Sequence, residues 1–358
     1  MRMPTLFDPL KLRSLQLRNR IGVSPMCMYS SEDGHANEFH VVHQGSRAIG
    51  GAALVITEAT AVEARGRISP FDMGLWSDSH IEPLAKVVRA VNAGGAIAGL
   101  QLAHAGRKAS VDRPWGPTPN AALDRAHGGW EIVGPSAIPF SEKTAMPQAL
   151  TVAEIRSIQA SFVAAARRAL QAGYQLIELH GAHGYVGHSF LSPLSNHRTD
   201  EYGGSFEGRT RFVLETAALL RDAWPADLPF GVRLSCSDWT EGGWTLEESI
   251  ALSRKLKELG VDFVDCSSGG NVYAKIPLGP GYQVPFAEAI RRDAGIATAA
   301  VGLITEAAQA NQIIESGQAD FVLLAREMLR DPYFPFHAAR TLGRTNAIKL
   351  PPQYERAG

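Results

Sequence analysis

The sequence predicts an α/β fold, a closed (β/α)8 barrel of the TIM type, on three observations. Eight short apolar runs recur along 358 residues, stretches of helical periodicity fall between them, and each run ends in polar or small residues. Short βα units in that number favour a closed parallel barrel over an open sheet. The strand candidates are residues 20–23, 53–57, 96–102, 176–179, 230–234, 263–265, 297–301 and 321–324. Residues 81–92 carry apolar positions three and four apart. Residues 151–172 are alanine-rich and open with Thr151 and Glu154, the spacing of a capping box. Residues 206–224, 246–259, 285–292 and 307–315 read as helices on the same grounds. Gly173, Gly260 and Gly317 stand just past helical runs, where a left-handed C-terminal residue is expected.

One segment breaks the rhythm. Residues 105–150 hold Pro114, Pro117, Pro119, Pro135, Pro139 and Pro147 with Trp115 and Trp130. The segment follows the third strand, on the face where barrels bind ligands, and is expected to form a capping insertion, a lid or pocket wall. Residues 1–358 are otherwise read as one domain, with 45% apolar residues to fill its core.

Composition narrows the function. A net charge of −1 offers no basic surplus for a nucleic-acid backbone. No apolar run approaches membrane-spanning length, and the first nine residues lack the apolar core of a signal peptide. Cys27, Cys236 and Cys266 suit a reducing cytoplasm and are too few for an iron–sulfur cluster held by four thiolates.

Barrel chemistry sits at the C-terminal ends of the strands. Those ends carry Ser24-Pro25-Met26-Cys27-Met28-Tyr29, then Glu58-Ala59-Thr60, Gln101 with His104, and His180-Gly181-Ala182-His183-Gly184-Tyr185. Arg233, Cys266-Ser267-Ser268, Gly302 and Ala325-Arg326 complete the set. Three readings of His180, His183 and Tyr185 are open. They are hydrogen-bonding residues of a buried loop, or part of a zinc site, or an oxyanion site with a general acid beside it. Zinc would call for a third ligand, and the helical H-E-x-x-H pattern spaces its histidines by four, not three. Gly302, Ala325 and Arg326 stand where barrels often bind phosphate, with small residues for close backbone approach and a bidentate cation. Arg233 is either a structural ion pair or a cation that stabilises a reduced flavin at N1 and O2. Gln101 can donate and accept at once, as a flavin pyrimidine edge requires. Cys27 is either a small buried residue or a thiol that tunes a flavin. No G-x-G-x-x-G follows a strand, and Gly181, Gly184 and Gly187 have the wrong spacing, so no dinucleotide domain is inferred.

Long strings in the chain resemble the old yellow enzyme family, in its short, thermophilic-like class. They are residues 24–31 (SPMCMYSS), 101–108 (QLAHAGRK), 191–205 (LSPLSNHRTDEYGGS) and 353–356 (QYER). The resemblance implies an FMN-dependent ene-reductase that passes hydride from NAD(P)H to an electron-poor C=C bond. It places FMN on Ser24, Pro25, Met26, Cys27, Ala59, Gln101 and Arg233, with the phosphate at Gly302, Ala325 and Arg326. It gives the substrate's carbonyl or nitro oxygen to His180 and His183, the proton donation to Tyr185, and substrate positioning to Tyr29. It further implies a homodimer or homotetramer, in which residues 344–358 lie at the subunit interface and Arg356 enters the neighbour's pocket. The family usually has glycine where this chain has Ala325, and its close members end in an aromatic residue where this chain ends Ala357-Gly358. Rival readings are a nitroester or xenobiotic reductase of the same family, a dienoyl-thioester reductase or amine dehydrogenase of the same superfamily, and a non-catalytic flavin-binding redox sensor. The superfamily relatives carry a cysteine cluster and additional domains that this chain lacks, and flavin storage needs no proton donor.

Overall fold

The structure, a computed structural model, describes residues 4–357; Met1 to Met3 and the terminal Gly358 lie outside it. An antiparallel hairpin of β1 (Leu10–Leu12) and β2 (Leu15–Leu17) comes first. There follow β3 (Ile21–Val23), α1 (Glu38–Ile49), β4 (Leu54–Ala61), α2 (Ile81–Ala93), β5 (Ile97–Ala103), β6 (Val133–Gly134), β7 (Gln148–Ala149) and α3 (Val152–Ala172). The middle of the chain holds β8 (Leu176–Gly181), α4 (Val186–Leu191), α5 (Phe206–Ala223), β9 (Phe230–Ser235) and α6 (Leu246–Glu258). It ends with β10 (Phe263–Ser267), α7 (Val284–Ala294), β11 (Ala297–Ala300), α8 (Ala307–Glu315), β12 (Phe321–Leu324), α9 (Arg326–Arg330) and α10 (Phe334–Thr341).

Strands β3, β4, β5, β8, β9, β10, β11 and β12 close into a parallel barrel, each pairing with the next and β12 returning to β3. These are the eight runs read from the sequence. β4 runs past its expected end to Ala61, because a bulge between Thr57 and Thr60 re-aims the strand at Glu58 and Ala59. The six expected helices are present. At the start of α3 the capping box forms: Glu154 N donates to Thr151 Oγ1 at 3.2 Å and Thr151 N to Glu154 Oε2 at 2.8 Å. Gly173, Gly260 and Gly317 all have positive φ at or just beyond their helix ends.

Several elements escaped the sequence reading. The hairpin strands span three residues each, too few to show a period of two. α1 is capped by Asn37, whose backbone N–H donates to His40 Nδ1 at 3.1 Å, an imidazole in the place where a capping box usually has Glu or Gln. α4, α9 and α10 are short, at six, five and eight residues. The hairpin closes the barrel floor. Leu12 and Leu17 pack with Leu54, Ile56, Leu176, Phe263, Phe321 and Leu323 of the barrel interior, and the Phe263 and Phe321 rings meet edge to face at 5.3 Å. That floor leaves the opposite rim as the open end. Truncating Leu17, only 1% exposed, to alanine is expected to destabilise the fold by about 2–5 kcal/mol. Chemical denaturation read by circular dichroism checks this, and a loss below about 1 kcal/mol would show that the hairpin is not part of the core.

Candidate active site

Parallel closure puts the C-terminal end of every barrel strand on one rim, so residues remote in sequence meet there. Arg233 of β9 lies in the mouth: Nη1 donates to Ser24 Oγ at 3.1 Å, and Nε stands 3.1 Å from Asp265 Oδ2 of β10. Gln101 of β5 donates Nε2 to Glu178 Oε1 of β8 at 2.7 Å, leaving its own carbonyl oxygen able to accept. Burial drives the pKa of Glu178 and of Asp265 upward; the Asp265 charge adds to the effect on Glu178 and Arg233 opposes both. The loop leaving β3 carries Ser24, Pro25, Met26 and Cys27. It is tied to the β4 bulge, where Ala59 is buried, by Met28 N donating to Glu58 Oε2 at 2.8 Å. Burial first, then the carboxyls of Asp72 and Glu58, push the Cys27 thiol up, so it stands as a protonated S–H.

One cavity of about 280 Å³ runs from His183 and Ser267 past Arg233 to Gly302, Ala325 and Arg326. Its far end is shaped for an anion. Gly302 sits at φ +117°, and a Cβ there would stand 2.8 Å from Gln283 Nε2. Arg326 is exposed at the start of α9, and no carboxylate among the described residues pairs with it. Ala325 sits at φ −101°, ψ −100°, outside both the helical and the extended regions, at the head of α9 beside Arg326. An unpaired guanidinium beside a glycine turn suits a phosphate, while a buried guanidinium and a primary amide at the other end suit a pyrimidine edge. The residues present therefore fit FMN.

His180, His183 and Tyr185 come together on the same rim. The His180 ring centroid lies 5.1 Å from that of His183 and 4.8 Å from that of Tyr185, both edge to face. Ala182 N donates to His180 Nδ1 at 3.2 Å, which leaves the ring proton on Nε2 as a free donor. His183 is in the left-handed region at φ +59°. Its N–H donates to Ser235 Oγ at 2.9 Å, and its Nε2 meets Ser267 Oγ at 2.7 Å. Desolvation, then Arg233, lowers both imidazoles well below 6.5, and desolvation, then Cys27 and Tyr29, raises Tyr185 well above 10. At neutral pH the pair is uncharged and the phenol keeps its proton. Tyr29, at φ +48°, packs edge to face on Trp115 at 5.6 Å. Residues 105–150 supply much of the wall here: Ala105, Ala109, Val111 and Ile132 form a cluster against which Cys27, Tyr29, Trp130 and Tyr185 pack. Arg356 is exposed on a terminal 3-10 turn (Pro352–Ala357), and no described residue of its own chain pairs with it.

Sequence reasoning assigned no role to Lys108, Ser235, Ser267, Glu178 or Asp265. Lys108 Nζ donates to His183 O and to Gly270 O, both at 2.9 Å, and lies 5.5 Å from the Tyr185 ring centroid. Burial, then Arg107, lowers this amine to about 8. Its partners are backbone carbonyls 75 and 162 residues further along the chain, so no local pattern could reveal the contact.

The NADH:flavin oxidoreductase / NADH oxidase family matches the chain over residues 5–344. The NADPH dehydrogenase of Geobacillus sp. (strain WCH70) is 50% identical over 353 residues, 98% of each chain. That of Bacillus subtilis (strain 168) is 46% identical over the same length and share. Among solved structures, morphinone reductase superposes with a TM-score of 0.80 at 27% identity, over 98% of this chain and 92% of that one. A 2-naphthoyl-CoA reductase complex superposes with a TM-score of 0.86 at 25% identity, over 96% of this chain and 53% of that one. The chain belongs to the NADH:flavin oxidoreductase / NADH oxidase family, that of old yellow enzyme, and is an FMN-dependent oxidoreductase that draws its electrons from NAD(P)H.

Proposed function

We propose that the enzyme is an ene-reductase, reducing the C=C bond of α,β-unsaturated carbonyl or nitro compounds. The observation that carries this reading is the grouping of two neutral imidazoles with a protonated phenol, His180 and Tyr185 only 4.8 Å apart between ring centroids, with His183 of the same group lining the cavity that leads to the anion cradle. Ser24, Pro25, Met26, Cys27, Ala59, Gln101 and Arg233 are assigned to the flavin ring, and Gly302, Ala325 and Arg326 to its phosphate. When bound, the flavin supplies the two-electron carrier that takes hydride from the nicotinamide and gives it to the alkene.

His180 Nε2–H donates to the substrate's carbonyl or nitro oxygen. A neutral imidazole holds that oxygen weakly in the ground state and more strongly as enolate charge builds, which is the differential binding a catalyst needs. The His183 ring is oriented by Ser267, whose hydroxyl can give or accept, so His183 can serve the same oxygen once substrate arrives. Tyr185 O–H protonates the α-carbon. Tyr29 and the wall of residues 105–150 position the substrate and keep out water. Arg356, exposed and without a partner among the described residues, is assigned to the neighbouring subunit's pocket in a homodimer or homotetramer, with residues 344–358 at the interface.

Anaerobic mixing with NADPH followed by cyclohexenone tests the reading. Bleaching of the flavin and its reoxidation by the enone support it; bleaching with no reoxidation by any activated alkene leaves a reductase of another acceptor. Tyr185→Phe is expected to slow the alkene half-reaction by about 10²-fold or more while changing flavin reduction less than about twofold. Rapid-mixing kinetics of the two halves decides, and equal slowing removes Tyr185 from the acid role. His180→Ala is expected to cost about 10²-fold or more in the alkene step and to weaken binding of a para-substituted phenol about tenfold. An unchanged phenol titration and charge-transfer band would count against the oxyanion site. Arg326→Ala is expected to weaken FMN retention about tenfold. Free flavin in the ultrafiltrate reports this, and full retention would move the phosphate elsewhere.

A further inference from the structure

The turn between β8 and α4 is anchored peptide by peptide. Tyr185 N donates to Ala182 O at 3.1 Å. His183 is held at both backbone groups, by Ser235 and by Lys108. Gly184 N donates to His188 Nδ1 at 3.0 Å, and Gly184 O accepts from Ser189 Oγ at 2.9 Å. Gly184 is at φ +74°, and a Cβ on it would stand 2.3 Å from Gly270 O. The residue before the phenol thus has no steric slack, and its N–H is aimed at one imidazole nitrogen.

That imidazole has a partner behind it. His188 Nε2 lies 2.9 Å from Asp238 Oδ1, and both side chains are wholly buried. The second Asp238 oxygen accepts from Ser192 Oγ at 2.5 Å and from Trp244 N at 2.8 Å. Burial by itself would raise Asp238, but His188, Ser192 and the Trp244 N–H hold it below the usual carboxylate range. Because Nδ1 accepts from Gly184, the ring proton sits on Nε2, on the side of the carboxylate, in a close contact that is not aligned as a hydrogen bond. A carboxylate that fixes an imidazole's tautomer and orientation from behind is a recurring device at functional sites.

We infer that Asp238 and His188 form a positioning pair for the proton donor. By keeping Nδ1 bare they hold the Gly184 peptide, and with it the phenol of Tyr185, in the attitude from which it reaches the substrate. The inference rests on the general-acid reading of Tyr185. Neither residue lines the cavity, and both side chains are wholly buried. His183 is held independently at its own N–H by Ser235 and at its ring by Ser267, so disturbing the pair should displace the phenol more than the oxyanion site.

The holoenzyme of His188→Leu, His188→Asn and Asp238→Asn, each alone and combined with Tyr185→Phe, provides the test. His188→Leu is expected to slow the alkene half-reaction roughly 10- to 100-fold, with flavin reduction by NADPH and phenol affinity changed less than about twofold. His188→Asn, which can place a side-chain oxygen near the Nδ1 position, should recover most of that loss. Asp238→Asn should reproduce the loss, because an amide N–H facing Nε2 drives the ring proton to Nδ1, against the Gly184 donor. In the Tyr185→Phe background none of these changes should slow the alkene step further. Slowing of the same size in that background, parallel loss of phenol affinity, or an asparagine variant no better than leucine would overturn the inference. Should the leucine variant fail to fold, Asp238→Asn set against His188→Asn decides on the same readings. A Tyr185→Phe enzyme with an unimpaired alkene step sinks the general-acid reading itself, whereas an impaired one beside an unimpaired His188→Leu sinks the positioning pair alone.

Discussion

Closure of the barrel between β12 and β3 is the constraint on which the rest depends. Val322 pairs with Ile21 and Leu324 with Val23, strands some three hundred residues apart in the chain. The ladder continues into the loop beyond, where Ser24 N donates to Leu324 O at 2.9 Å. That single junction sets Ser24 beside Arg233 and the β3 loop beside the anion cradle at Gly302 and Arg326. Because all eight strands run the same way, the hairpin can seal one end with Leu12 and Leu17 and every functional side chain is left at the other. A parallel barrel is buried on both faces, which is why its strands read as continuous apolar runs.

Burial at that rim then decides protonation. The same loss of water that lowers His180 and His183 raises Tyr185 and Cys27, so acids and bases alike are kept in their uncharged forms. Two cations stand in the mouth, Arg233 held between Ser24 and Asp265 and Lys108 held on the carbonyls of His183 and Gly270. Neutral donors set beside these fixed positive charges respond most strongly to negative charge that develops during reaction. This is the electrostatic sense in which the proposed ene-reduction suits the geometry. The same balance explains why the insertion matters: by packing Ala105, Val111 and Ile132 against Tyr29 and Tyr185 it lowers the local dielectric that makes the shifts large.

Positions within the site are held largely by backbone contacts. His183 and Tyr29 both occupy the left-handed region, which side chains seldom adopt without compensation. For His183 the compensation is visible in Ser235 and Lys108. Behind Tyr185, Asp238 and His188 extend the same logic one layer outward, with Trp244 and Ser192 anchoring the carboxylate in turn.

The sequence by itself determined the eight strands, six of the helices and the strand-end residues, because each depends on local periodicity, on caps a few residues apart, or on the rule that barrel sites lie at strand C-termini. His180, His183, Tyr185, Arg233, Gly302 and Arg326 were legible for that reason, and the matched strings then attached a flavin to them. The hairpin and α1 were not: three-residue strands have no measurable period, and an imidazole closing a capping box looks like no helix start. Tertiary structure alone decided that Lys108 grips His183 and Gly270, that Ser267 meets one imidazole, and that His188 backs Gly184 with Asp238 behind it. Those contacts join residues on different strands and loops through backbone carbonyls and buried rings, and their energies come from distance and desolvation. Spacing along a chain carries no record of either until the barrel has closed.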